Sequence, residues 1–142
     1  CSMRKKLVLL AIAMTFINNG CSIEDDDVNF HFTSLEIVGA ELPESFDYNQ
    51  TYEILVNYIK PDSCTNYEGF DVVKDSLTVR NVVAIGSVRT DTDDCTEESI
   101  EQTASFNFKV IYTDPYTFRF YSGDNSEGEA QYLEIVVPVN EP

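Results

Sequence analysis

Thr103-Ala104-Ser105-Phe106-Asn107-Phe108-Lys109-Val110-Ile111-Tyr112 is the stretch that decides the fold. Ala104, Phe106, Phe108, Val110 and Tyr112 fall on every second position, with Thr103, Ser105, Asn107 and Lys109 between them. Successive side chains of a strand point to opposite faces, so this pattern describes a half-buried antiparallel strand with one greasy and one wet face. Working backwards, Tyr52, Ile54, Val56 and Tyr58 repeat the alternation. There Leu55 and Ile59 add apolar groups to the second face, as expected of a more central strand. Working forwards, Leu133, Ile135 and Val137 alternate up to Pro138, which has no N–H to give a ladder and suits a strand end or a sheet edge.

Less regular runs fill the intervals. Phe30 to Val38, Tyr67 to Val73, Ser76 to Val88 and Tyr116 to Tyr121 read as further strands, the third long enough for one bent strand or two short ones. Gly123-Asp124-Asn125-Ser126-Glu127-Gly128 reads as the connection of a terminal hairpin. No sustained helical period follows residue 28. About seven strands at this spacing predict an all-β fold: a single immunoglobulin-like antiparallel β-sandwich over residues 29–140, with a small antiparallel β-barrel as the alternative. The chain has no Trp, so the antibody hallmarks are absent.

The start of the chain carries a different signal. Met3-Arg4-Lys5-Lys6 precedes an apolar run from Leu7 to Ile17, and Asn18-Asn19-Gly20 leads to Cys21. A basic start, a short greasy segment and a small residue before the cut describe a secretory signal, here residues 1–20. The greasy run is well short of the roughly 20 residues that span a bilayer. Cys1 and Ser2 stand before the first methionine and belong to no part of the mature chain. The cysteine at the cut resembles the lipobox of bacterial lipoproteins, although Asn18 stands where that box usually has an aliphatic residue. The resemblance implies that Cys21 is acylated and that the membrane is a partner through its lipid. Ser22, Glu24, Asp25, Asp26 and Asp27, interrupted by Ile23, are similar to the export tag that sends Bacteroidetes lipoproteins to the outer face of the outer membrane. Residues 21–28 are thus expected to form a lipidated, acidic tether, extended by self-repulsion.

Composition narrows the partners. All 25 acids lie beyond Cys21 against six bases, so the mature chain of 122 residues carries a formal charge of −19. That charge repels phosphate backbones and excludes nucleic acid, leaving cations or a protein or glycan partner. With Cys21 lipidated, Cys64 and Cys95 remain as one pair, expected to form a disulfide in an oxidising compartment.

Few constellations carry chemistry. Asp91, Asp93, Asp94, Glu97 and Glu98 crowd around Cys95, and oxygen-rich loops of this kind can take Ca²⁺. The spacing matches no known calcium loop, so a solvated acidic loop is the reading and no cofactor is expected. His31 is the only histidine and stands beside the tether, which argues against a Ser-His-acid site. Eight Tyr and nine Phe could form a glycan-stacking platform, but most fall on core positions. Asp75-Ser76-Leu77 is similar to the O-glycan acceptor pattern of exported Bacteroidetes proteins. Asn49-Gln50-Thr51 fits the N-glycosylation pattern.

Most of the chain, with its ending Tyr116-Thr117-Phe118-Arg119-Phe120 through Gly123 to Tyr132-Leu133-Glu134-Ile135-Val136-Val137-Pro138-Val139, resembles small lipoproteins of flavobacteria and their relatives. That resemblance implies a surface-facing, outer-membrane location and a sandwich fold, with no activity attached. The expected function is a non-catalytic envelope lipoprotein with a binding or structural role. A cation- or glycan-binding accessory module of an uptake system is the alternative, with a hydrolase behind it.

Overall fold

The computed structural model describes residues 29–142, and within them every regular element is a strand. The strands are β1 (Phe30–Leu35), β2 (Ile37–Glu41), β3 (Phe46–Asp47), β4 (Thr51–Lys60) and β5 (Thr65–Ser76). They continue with β6 (Val79–Arg89), β7 (Ile100–Lys109), β8 (Tyr116–Asp124), β9 (Ala130–Val137) and β10 (Val139–Asn140). A larger sheet holds β1, β5, β6, β8 and β9, and a smaller one runs β2-β4-β7. The fold is an all-β sandwich, and no closed barrel forms among the described residues.

The deciding stretch behaves as its pattern requires. Phe108 and Val110 are buried while Thr103, Ser105, Asn107 and Lys109 are exposed. In β4 the residues Ile54, Val56 and Tyr58 are buried, and Leu55 and Ile59 are half-buried. That strand is central in the smaller sheet, as its second apolar face implied.

The structure refines the strand inventory in two places. The run from Phe30 to Val38 breaks at Glu36, where the chain leaves the larger sheet for the smaller: β1 pairs with β6 and β2 with β4. The run from Ser76 to Val88 begins as a turn at Leu77-Thr78 and then forms one unbroken strand. That strand is shared on one side, with β8 against residues 79–82 and β1 against residues 84–89.

Two pairings are parallel, β6 with β8 and β10 with β3, in an otherwise antiparallel set. The first arises because β7, in the opposite sheet, intervenes and the chain reverses twice before β8. The second follows Pro138, which ends β9; its carbonyl accepts from the Phe46 N–H at 2.8 Å.

Between the sheets lies an aromatic core. Phe46, Tyr116, Phe118 and Phe120 are fully buried, and the Phe108 ring meets those of Tyr116 and Phe118 edge-on at 5.0 Å. Phe46 comes from the short β3, yet its ring also reaches Tyr52 at 4.9 Å. Tyr116 opens β8, and its hydroxyl accepts from the backbone N–H groups of Ile111 and Tyr112 at 3.1 and 3.0 Å. That contact fixes the corner between sheets, as tyrosine corners do in other sandwiches.

Candidate functional site

Cys64 and Cys95 are joined, with their Cα atoms 5.4 Å apart. The bond links the segment before β5 to the loop after β6, as their places in the sequence implied. Local hydrogen bonds brace both ends. Asp62 accepts from the Cys64 N–H at 3.0 Å and from the Thr65 hydroxyl at 2.8 Å. Across the bridge the Ser63 hydroxyl accepts from Thr96 N–H at 2.8 Å, and Ser63 N–H donates to the Thr96 carbonyl at 3.0 Å.

The acidic loop does not assemble a cation site. Asp91 is engaged by Arg89 through a forked pair of bonds at 3.1 and 3.2 Å, which holds its carboxyl below the usual range. Asp93, Asp94, Glu97 and Glu98 are exposed. Among the described residues no three potential ligands gather closely enough to hold a metal. These carboxylates face water separately and do not converge on one point, as a hard cation would require. His31 lies in β1 opposite Val88, exposed, with no hydrogen bond to a serine or carboxylate among the described residues. Cys21, Ser22, Glu24, Asp25, Asp26 and Asp27 lie outside the described residues.

The surface that stands out is the outer face of the larger sheet. In β6, Arg80, Val82 and Ala84 point into the core, so Asn81, Val83 and Ile85 point outwards. The register then places Phe32, Val73, Arg119, Glu134, Tyr132 and Val136 on the same outer side. Phe32 is 65% exposed beside Ser87 at one end of this face, and Val136 is 58% exposed beside Thr117 at the other. At the end where the chain enters, Phe30 and Phe32 meet edge-on at 5.3 Å. With Asn66, Glu68, Ser87 and Arg89 they border an open cleft of about 300 Å³. The Ser87 hydroxyl donates to Glu68 at 2.7 Å on its floor.

Towards the other end, the Arg119 guanidinium lies 4.2 Å from the ring centre of Tyr132, and Tyr121 meets that ring at 6.1 Å. Tyr121 donates to Asp124 at 2.8 Å, and this bond to a carboxylate pushes its phenol up from the ordinary value. Between the two ends, the side-chain oxygen of Asn81 is enclosed without a hydrogen-bond partner. The polar outer face of the smaller sheet contrasts with this one: there Thr103 donates to Asn57 at 2.7 Å and Ser105 to Glu53 at 3.2 Å.

Sequence reasoning did not single out Phe32, Asn81, Arg119 or Tyr132. The Phe30-His31-Phe32 alternation was a usable signal, since it marks a face; which face meets water is decided by pairing to β6. Most aromatic residues do pack in the core, but Phe30, Phe32, Tyr48 and Tyr132 are exposed. Ser76 of the possible O-glycan site sits exposed at the tip of the β5–β6 hairpin. Asn49, of the N-glycosylation pattern, occupies the turn before β4 with a φ of 72°.

No protein family, no curated protein and no solved structure matches the chain.

Proposed function

We propose that this chain is a non-catalytic lipoprotein, anchored through acylated Cys21 in the outer membrane and facing the cell surface, with a binding role. The acids of residues 24–27 serve in this reading as export tag and spacer. The observation that carries the binding role is the outer face of the larger sheet. Phe32, Val73, Tyr132 and Val136 are exposed on that face among Asn81, Arg119 and Glu134, and together they offer a mixed apolar and polar surface on which a partner can dock. The resemblance to flavobacterial lipoproteins and the immunoglobulin-like reading of the sandwich belong to this same proposal.

The test is fractionation. Acyl chains bury about 0.8 kcal/mol per CH₂, so two or three chains anchor a protein permanently. Cys21→Ser should release soluble protein, and retention of that variant in carbonate-washed membranes would refute the anchor. Changing residues 24 to 27 to Ala should leave the protein anchored but shielded from protease added to whole cells.

Glycan binding is the second reading. The exposed Tyr132 ring beneath Arg119 favours it, because sugar faces stack on such rings. Glycan-array binding that is abolished by Tyr132→Ala, with the melting temperature unchanged, would establish it over a protein partner.

A further inference from the structure

Three of the open sheet edges among the described residues are blunted. The edge strand β5 carries register shifts at Tyr67/Gly69 and Lys74/Ser76 and bears Glu68, Asp71, Lys74 and Asp75. The edge strand β2 is five residues long and shifts register between Ile37 and Gly39. The edge strand β9 has Glu134 near its middle and stops at Pro138. Charges, bulges, brevity and proline are the devices that keep edges from pairing with other chains.

β7 has none of them in its interior. It is ten residues long, pairs with β4 without a register shift, and contains neither Gly nor Pro. Its only charges are Glu101 and Lys109, one near each end. Among the described residues nothing pairs with its other side. The outward groups can be assigned. Val110 donates its N–H to the Gln50 carbonyl at 2.9 Å and accepts from Asn49 N–H at 2.8 Å, so its main chain faces β4. Alternation then turns the N–H and C=O of Glu101, Thr103, Ser105, Asn107 and Lys109 towards the open edge.

We propose that β7 pairs antiparallel with β7 of a second copy of this chain, about a two-fold axis at Ser105. In that register every outward-facing residue finds a partner: Ser105 meets its own copy, Thr103 meets Asn107, and Glu101 meets Lys109 at both ends. The strand's two charges are therefore complementary only in this antiparallel arrangement. A parallel arrangement would set Glu101 against Glu101 and bring the two acidic loops, residues 91–98, side by side. The antiparallel one separates the Glu101 residues by about 27 Å, well beyond the Debye length of about 8 Å at physiological salt. On the inner side, the half-buried Phe106 lies opposite Ala104 of the other copy and gains cover. The proposal stands apart from the anchoring and from the outer face of the larger sheet, which the pairing leaves free.

Sedimentation of the full chain carrying Cys1→Ser and Cys21→Ser, in mild detergent, tests it, since no thiol outside the Cys64–Cys95 bond can then cross-link. A concentration-dependent dimer is expected. Lys109→Glu places like charges opposite each other twice and should weaken the dimer about tenfold, and adding Glu101→Lys should restore it. Ser105→Pro removes an outward N–H that β4 does not use and should give a folded monomer. Under mild oxidation Ser105→Cys should cross-link two copies, because directly paired Cα atoms lie about 5.5 Å apart; Thr103→Cys should not. A monomer at all concentrations, or a dimer indifferent to the charge reversal, overturns the proposal. A monomer that instead takes up a strand of a different protein at β7 overturns it equally.

Discussion

The guanidinium of Arg80 lies 5.4 Å from the ring centre of Tyr116, inside the sandwich and only 6% exposed. Its Nη1 donates to the carbonyls of Ser76, Leu77 and Val79 at 3.0, 3.0 and 3.2 Å. A strand position that the alternation reserves for an apolar residue thus holds a cation that seals the β5–β6 turn and lies beside two aromatic rings. Arg80→Ala should cost about 2–4 kcal/mol, from charge-assisted bonds and ring contacts together. Arg80→Lys should recover only part of this, because a compact ammonium lacks the planar surface that the guanidinium sets beside the Phe108 and Tyr116 rings. Chemical denaturation of the two variants measures the difference.

The Cys64–Cys95 bond closes a separation of 31 residues and is worth about 3–4 kcal/mol on the loop-entropy model. Its removal also frees Asp93, Asp94, Glu97 and Glu98 to repel one another. Reduction, or Cys95→Ala, should lower the melting temperature by several degrees or more, and added salt should return part of the loss by screening. Differential scanning calorimetry at two ionic strengths checks both statements.

Gly86 sits where β1 and β5 both crowd β6. A Cβ there would stand 2.9 Å from Cδ2 of Leu35 and 3.1 Å from the Asn66 carbonyl. The leucine is itself buried and the carbonyl is backbone, so neither yields cheaply. Gly86→Ala should destabilise by about 1–3 kcal/mol, the usual range for overpacking. An equilibrium urea titration reads it directly.

Tyr58 and Tyr67 stack with ring centres 5.0 Å apart, across the two sheets. Burial pushes both phenols above the ordinary 10.0, and at Tyr67 the nearness of Tyr58 adds to the rise. The neutral phenols are therefore the form that the fold favours. Their contribution is fully present below pH 10 and is lost as pH rises through the folded values. Absorbance titration should show a lagging group of tyrosines that includes Tyr121, and stability should fall through the same window. Asp91 has the opposite sign: its lowered pKa favours the fold above the ordinary carboxylate value of about 3.9 and ceases to do so as pH falls through the folded one. Carboxyl NMR titration of wild type against Arg89→Ala should show that value rise.

The smaller sheet was the more legible part of the sequence. In β4 and β7 burial alternates with the letters, because the two strands pair continuously and the inward residues are the more deeply buried, even where Leu55 and Ile59 add to the second face of β4. The larger sheet was harder to read, and for a physical reason. Its outer face carries apolar residues as well, Val73 in β5 and Val79, Val83 and Ile85 in β6, so the alternation that sorts core from solvent is blurred in those two strands, while Leu133, Ile135 and Val137 of β9 keep it. The sheet change at Glu36 left no mark, since Ser34 to Val38 continues as extended backbone and only the partner changes. The burial of Arg80 left no local mark, since nothing in the sequence around it shows that the carbonyls of Ser76, Leu77 and Val79 turn back to receive it. The disulfide was legible because cysteine arithmetic leaves a single pair.

The change of sheet at Glu36 also has a mechanical meaning. A pull on the chain ahead of Asn29 enters along the axis of β1, whose six residues all pair with β6. The load therefore acts in shear, with the ladder resisting as a unit, where a perpendicular pull would open it one bond at a time. Past Leu35 the same chain becomes β2, anchored to β4, and the Ile59 N–H holds the Glu36 carbonyl at 2.9 Å across the junction. Force arriving at the N-terminus is thus shared between both layers within seven residues of its entry, from 30 to 36. The anchor proposed at Cys21 would apply its load at this end.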